Sequence, residues 1–173
     1  VKGDGFWGAW LLDSRASDLT ADFKLILGER EVAWAGDPFD LASLEGGYAT
    51  GAPFLEDGKQ HVQFWISRGR GGESGPPQRF LNDAASIEGR DDLWKASDQW
   101  QGRTVIWMML HAGKSDGRQR RWPNTPPLVA VEGQWSRVWD PRDPEQDADD
   151  PDTWAWSDNH ALCVLDVLRN NPI

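Results

Sequence analysis

The segment Thr104-Val105-Ile106-Trp107-Met108-Met109-Leu110 is apolar at nearly every position. Its β-branched and aromatic residues favour a strand. A strand apolar on both faces has to be covered on both faces. It is therefore either central in a layered fold or covered by another subunit. With 173 residues and 39% hydrophobic content, the chain is long enough for one domain with a real core. The subunit alternative marks Trp107 and Met109 as candidate interface residues.

The remaining pattern is that of short strands and turns. Phe6 to Leu12 is apolar and aromatic. From Asp22 to Leu27, Phe23, Leu25 and Leu27 share one side, with Lys24 on the other. Gly28-Glu29-Arg30 predicts a turn before Glu31 to Trp34. Asp57-Gly58, between Phe54-Leu55 and the strand His61 to Ile66, is a hairpin signal because that turn needs positive φ. In the following strand Val62, Phe64 and Ile66 alternate with Gln63, Trp65 and Ser67. Leu128 to Val131 and Gln134 to Trp139 read as two strands broken at Gly133. Near the end, Ala161, Val164, Leu165 and Leu168 form a helical apolar stripe. Ser157, Asp158 and Asn159 are competent N-caps for it. The expected class is β-rich α+β: an antiparallel sandwich or barrel with a C-terminal helix from Asn159 to Asn170.

Between these elements lie two less regular stretches. Residues 68–78 are rich in Gly and Pro, which predicts a mobile surface loop and a possible internal break in one domain spanning 1–173. Short helical turns are expected near 79–97, with Asp91-Asp92 close to the start of one. Ala112 to Asn124 carries Lys114, Arg118, Arg120 and Arg121. That cluster is either a grip for an acidic partner or a solvated hairpin tip around Asp116-Gly117, and the tip is the preferred reading. Arg118, Arg120, Arg121 and Trp122 join the candidate interface residues. Pro123 to Pro127 should be extended.

Charge and residue usage exclude several functions. With 28 acids against 18 bases the net charge is −10, which disfavours nucleic-acid phosphates and anionic membrane surfaces. One cysteine, Cys163, excludes an intrachain disulfide framework and a cysteine-cluster zinc site. No stretch reaches the roughly 18 apolar residues of a membrane span. His61, His111 and His160 lack metal-ligand spacing, and no Gly-x-Ser-x-Gly elbow is present. These readings predict no catalytic residues, no cofactor and no metal. Twelve tryptophans suit a core or an interface with one wet edge. They also suit a carbohydrate-binding β module, which would set several exposed Trp rings in a line or cleft. The polar start, without Met, and the stop directly after a helix predict a fragment of a longer protein.

The segment Val138 to Asn171 gathers the most connected pattern. Trp139-Asp140-Pro141-Arg142 follows a strand, and Asp140 can cap the turn that Pro141 pre-sets. Arg142 can pair with Asp140 or with the Asp158 region. Seven acids lie between Asp140 and Asp152. Calcium takes about six to eight oxygens, but the EF-hand order is missing, and a solvated acidic loop is the reading. Trp156-Ser157-Asp158-Asn159 then leads into Ala161-Leu162 and the helix.

This order resembles the tail tip attachment, or host specificity (J-like), proteins of siphophages, prophages and gene transfer agents. The matching residues are Gly133, Val138 to Arg142, Trp156 to Asn159, Ala161-Leu162 and Leu165 to Leu168. Trp94 to Trp100 with Gly102 to Val105, and Pro123 to Pro126, match upstream. The family usually has proline where His160 stands. The resemblance implies a β-rich, typically trimeric hub at the distal end of the tail tube. It implies other tail or baseplate subunits as partners, a cell-surface glycan or receptor, and a place in the virion tail.

Overall fold

A computed structural model describes residues 5–13, 15–86, 93–113, 115–124 and 126–170. Asp91, Asp92, Lys114 and Thr125 lie outside the described residues, as do both chain ends. Twelve strands and three α-helices are described. They run in the order β1 (Gly5–Asp13), β2 (Lys24–Leu27), β3 (Arg30–Val32), β4 (Trp34–Gly36), β5 (Gly47–Ala49), β6 (Leu55–Glu56), β7 (Lys59–Gln60) and β8 (Val62–Ser67). Then come α1 (Gln78–Ala85), β9 (Thr104–His111), α2 (Ser115–Arg121), β10 (Val129–Glu132), β11 (Arg137–Val138), β12 (Ala155–Trp156) and α3 (His160–Asn170). The fold is β-rich with antiparallel sheets and a C-terminal helix.

The apolar segment at 104–110 is the interior strand β9, between β1 and β8 in a five-stranded sheet ordered β1-β9-β8-β5-β4. Both of its faces are buried. Ile106, Met108 and Leu110 pack into the larger core with Val62, Phe64 and Ile66. Leu25, Leu27 and Val32 reach that same core from a second, three-stranded sheet ordered β10-β2-β3. The two sheets thus face one another across it. On the other face Val105, Trp107 and Met109 form a smaller core with Trp65 and Phe80. Ring stacking covers this layer: Phe80 lies edge-on to Trp107 at 5.6 Å, and Trp100 lies flat on Trp107 at 5.2 Å.

Local chemistry sets the turns. Asp57 and Gly58 both take positive φ, 52° and 70°, between the paired strands β6 and β7. Phe23, Leu25 and Leu27 are buried while Lys24 is exposed, as period-two alternation requires.

Four expectations need correction. The segment 104–110 is enclosed within one chain, so the argument for an interface at Trp107 and Met109 lapses. The basic tip around Asp116-Gly117 is the helix α2. Its Arg121 folds back over Gly117, donates to the Ala112 carbonyl at 3.1 Å and pairs with Glu56 at 3.2 Å. Arg121 and Trp122 are buried at 7% and 5% exposure, leaving Arg118 and Arg120 at the surface. The loop 68–78 is stitched down: Arg68 holds Glu73 through two bonds of 2.8 and 2.7 Å, and Gly75, Pro76 and Pro77 are buried. Gly69, at φ +80°, packs so tightly on the Arg103 backbone that no side chain fits. The strands before and after this loop share one sheet.

The fourth correction concerns α3. Its stripe of Ala161, Val164 and Leu168 is exposed, and Leu162 and Asp166 are the buried residues. Asp166 accepts two hydrogen bonds from Arg15 Nη1, at 2.9 and 2.8 Å. A buried carboxylate needs its partner more than an apolar residue needs cover. That pairing turns the acidic side of α3 inward.

Candidate functional site

The segment from Val138 to Asn170 folds into a corner. β11 pairs with β12, setting Arg137 opposite Trp156 and Val138 opposite Ala155. Asp140 accepts the Arg142 backbone N–H at 3.0 Å and receives Nε and Nη2 of the same residue at 2.8 and 2.7 Å. Arg142 therefore pairs with Asp140 and not with Asp158. These contacts hold the Asp140 carboxyl well below the usual range, at about 2.

The acidity of the following loop has a local cause. Asp140, Asp143, Asp147 and Asp150 each accept a hydrogen bond from the backbone N–H two residues on. Such turns satisfy backbone donors where no ladder exists. Among the described residues no group of three or more His, Cys, Asp or Glu side chains is placed to hold a metal ion.

Asn159 caps α3, accepting the Ala161 N–H at 3.0 Å, and Ser157 accepts the Asn159 N–H at 3.2 Å. Asp158 is exposed. At the far end of α3, Arg169 lies over the Trp139 ring at 4.5 Å and the Trp154 ring at 5.8 Å. Its Nη2 also donates to the Ala148 carbonyl at 3.0 Å. One guanidinium thus ties the strand end, the acidic loop and the helix. Trp139 is half-buried, Leu162 buried, and Pro141, Trp156 and Ala161 exposed.

The corner forms one wall of a cleft of about 480 Å³. Arg137, Asp152 and Trp154 line it from the corner, facing Arg15, Gly69 and Arg70. Each guanidinium has an acidic neighbour: Arg15 pairs with Asp166, Arg70 with Asp18 at 3.0 Å, and Arg137 with Asp152 at 3.4 Å. Asp18 also accepts the Trp156 N–H at 3.0 Å. The cleft therefore joins the N-terminal part of the chain to the motif.

Neither these arginines nor Asp18 stood out in the sequence, and Asp166 entered only within the Leu165 to Leu168 match. One signal was available. Asp166 stands four residues after Leu162 on the same helix face, and an acid in that place calls for a cation. The side chain that answers it is distant in sequence and could not be named.

The tryptophans divide unevenly. Trp65, Trp107 and Trp122 are buried, Trp100 and Trp156 are exposed at 37% and 38%, and the rest are half-buried. Most therefore serve packing, without the exposed row that a sugar-stacking platform needs. No helix among the described residues is long and apolar enough to cross a membrane. Comparison with protein-family models, curated proteins and solved structures finds no match.

Proposed function

We propose that this chain is a non-enzymatic structural module of a phage or prophage tail tip, acting by subunit assembly at the baseplate hub and contributing to host attachment. The observation that carries the reading is the corner. Residues that resemble the tail-tip family build it, through the Asp140 turn and the Asn159 cap, and Trp139, also among them, lies beneath Arg169. A rigid joint of this kind holds a helix at a fixed angle to a sheet, which a repeating shell of subunits requires.

The outer face of α3 supports the assembly role. Val164, Val167 and Leu168 are 59%, 58% and 70% exposed. Positions separated by three and four residues share a helix face, so these side chains form one apolar surface. Clustered apolar exposure marks a surface that another subunit covers.

Solution mass tests the proposal. The chain is expected to associate in a concentration-dependent way, towards a trimer. The double substitution Val164→Glu and Leu168→Glu should abolish association and leave the far-UV circular dichroism unchanged. A single-chain mass at all concentrations, identical for both proteins, overturns the assembly reading.

A further inference from the structure

We propose that the cleft between the C-terminal corner and the loop at 68–73 binds the carboxylate of a small acidic sugar. The setting of that ligand at a cell surface rests on the attachment reading above, whereas the binding itself rests on the donors that face the cleft.

A guanidinium offers five N–H donors in a fixed planar fork, and here those forks are only partly used. Among the described residues the Arg15 side chain makes its hydrogen bonds through Nη1 alone. Arg70 bonds Asp18 through Nη1, while its Nε is buried without a hydrogen bond and stands 3.8 Å from Glu73. The Arg137 side chain is 8% exposed, and its Nε is likewise buried without a hydrogen bond, 3.8 Å from Asp18. Its remaining ties, to the backbone oxygen and Oδ1 of Asp152, are long at 3.3 and 3.4 Å. Buried donors without acceptors are costly. A ligand in the cleft does not reach those two buried Nε atoms; the donors open to its acceptor oxygens are Nη2 of Arg15 and Nη2 of Arg70, neither of which makes a hydrogen bond among the described residues.

The geometry narrows the ligand class. Planar guanidinium groups match the two oxygens of a carboxylate. A volume of about 480 Å³ lies within the range of small-molecule sites and suits a sugar ring better than a folded segment. The Trp154 ring offers an apolar wall, and the Gln101 amide and the Gly71 backbone offer partners for hydroxyl groups. Asp152 holds Arg137 only weakly and its side chain is 86% exposed, so an incoming carboxylate can take its place. With a chain charge of −10, long-range attraction for anions is absent. The expected Kd is therefore on the order of a millimolar.

The test is a titration of the whole chain with glucuronic acid, followed by amide NMR, with glucose, inorganic phosphate and an oligoglutamate peptide in parallel. Glucuronic acid should shift the resonances of Gly69, Gly71 and Gly102, and the other three should not. Arg70→Gln should weaken binding by about tenfold. Asp152→Asn removes the competing carboxylate at an exposed position and should tighten binding by about threefold. Absent shifts, equal affinity in Arg70→Gln, or equal binding of phosphate or the peptide each overturn the proposal. Binding lost with association intact removes this inference alone, and association absent with binding intact removes the assembly reading alone.

Discussion

Asp140 and Asn159 do the same work at the two ends of the corner: each side-chain oxygen accepts a backbone N–H two residues on. The Asp140 carboxyl is lowered to about 2, first by the Arg142 side chain and then by the Arg142 backbone N–H. A lowered folded-state value gives stability that is present above the ordinary range near 3.8 and lost as pH falls through about 2. Carboxyl-carbon NMR should find that midpoint, and Arg142→Gln should move it up towards the ordinary range. A midpoint unmoved by the substitution would refute the pairing. Replacing Asn159 by Ala should cost about 1 kcal/mol, read as an earlier urea midpoint with an unchanged slope. Both roles were legible in the sequence because both are local. Arg15 and Asp166 were not, because 151 residues separate them and no pattern along a chain names such a partner.

Among the elements, those with strict period two or full apolarity matched their sequence reading: β2, β8 and β9 stand where alternation places them. The hairpin at Asp57-Gly58 followed from turn chemistry alone. The failures share a cause. For α2, and for the orientation of α3, a charged side chain with a distant partner decided the outcome: Arg121 with Glu56, and Asp166 with Arg15. The loop 68–78 misled because Gly and Pro signal irregular backbone, not absence of packing. The layer over Trp107 also gives a stability prediction. Phe80 is 2% exposed and meets Trp65, Trp94 and Trp107 edge-on within 6.0 Å. Phe80→Ala should therefore cost about 3–5 kcal/mol, measured by chemical denaturation. A loss below about 1 kcal/mol would mean the layer collapses onto the gap.

For the whole molecule, the shifted groups that act above pH 4 among the described residues are two histidines, His61 buried and His111 half-buried. His61 is 5% exposed, and its Nδ1–H donates to the His111 carbonyl at 3.0 Å. Burial lowers its pKa first, and the Arg121 charge adds to that effect. His111 is lowered by burial and then by the charge of His61. Arg79 adds to the lowering at His111 and Lys59 at His61; Asp83 opposes it at His111, and at His61 the bond to the His111 carbonyl opposes it first and Glu56 after that. With folded values below the ordinary 6.5, the unfolded chain binds more protons just under that pH. Stability is then full above about 6.5 and declines as pH falls from there towards the folded values. Urea midpoints at pH 7.5 and 5 should differ in that sense, and His61→Gln should flatten the difference. Equal midpoints in the parent chain would refute it.

The tie between Arg15 and Asp166 has a further consequence, in time. A ribosome adding about 5–20 residues per second makes the arginine on the order of ten seconds before its aspartate. Within that interval β1 is placed only once its partner β9 has been made, and the Arg15 charge then waits, solvated, for α3. The cleft therefore closes only after the sheets have formed. Any product cut short within the acidic loop would carry the sheet but no binding wall.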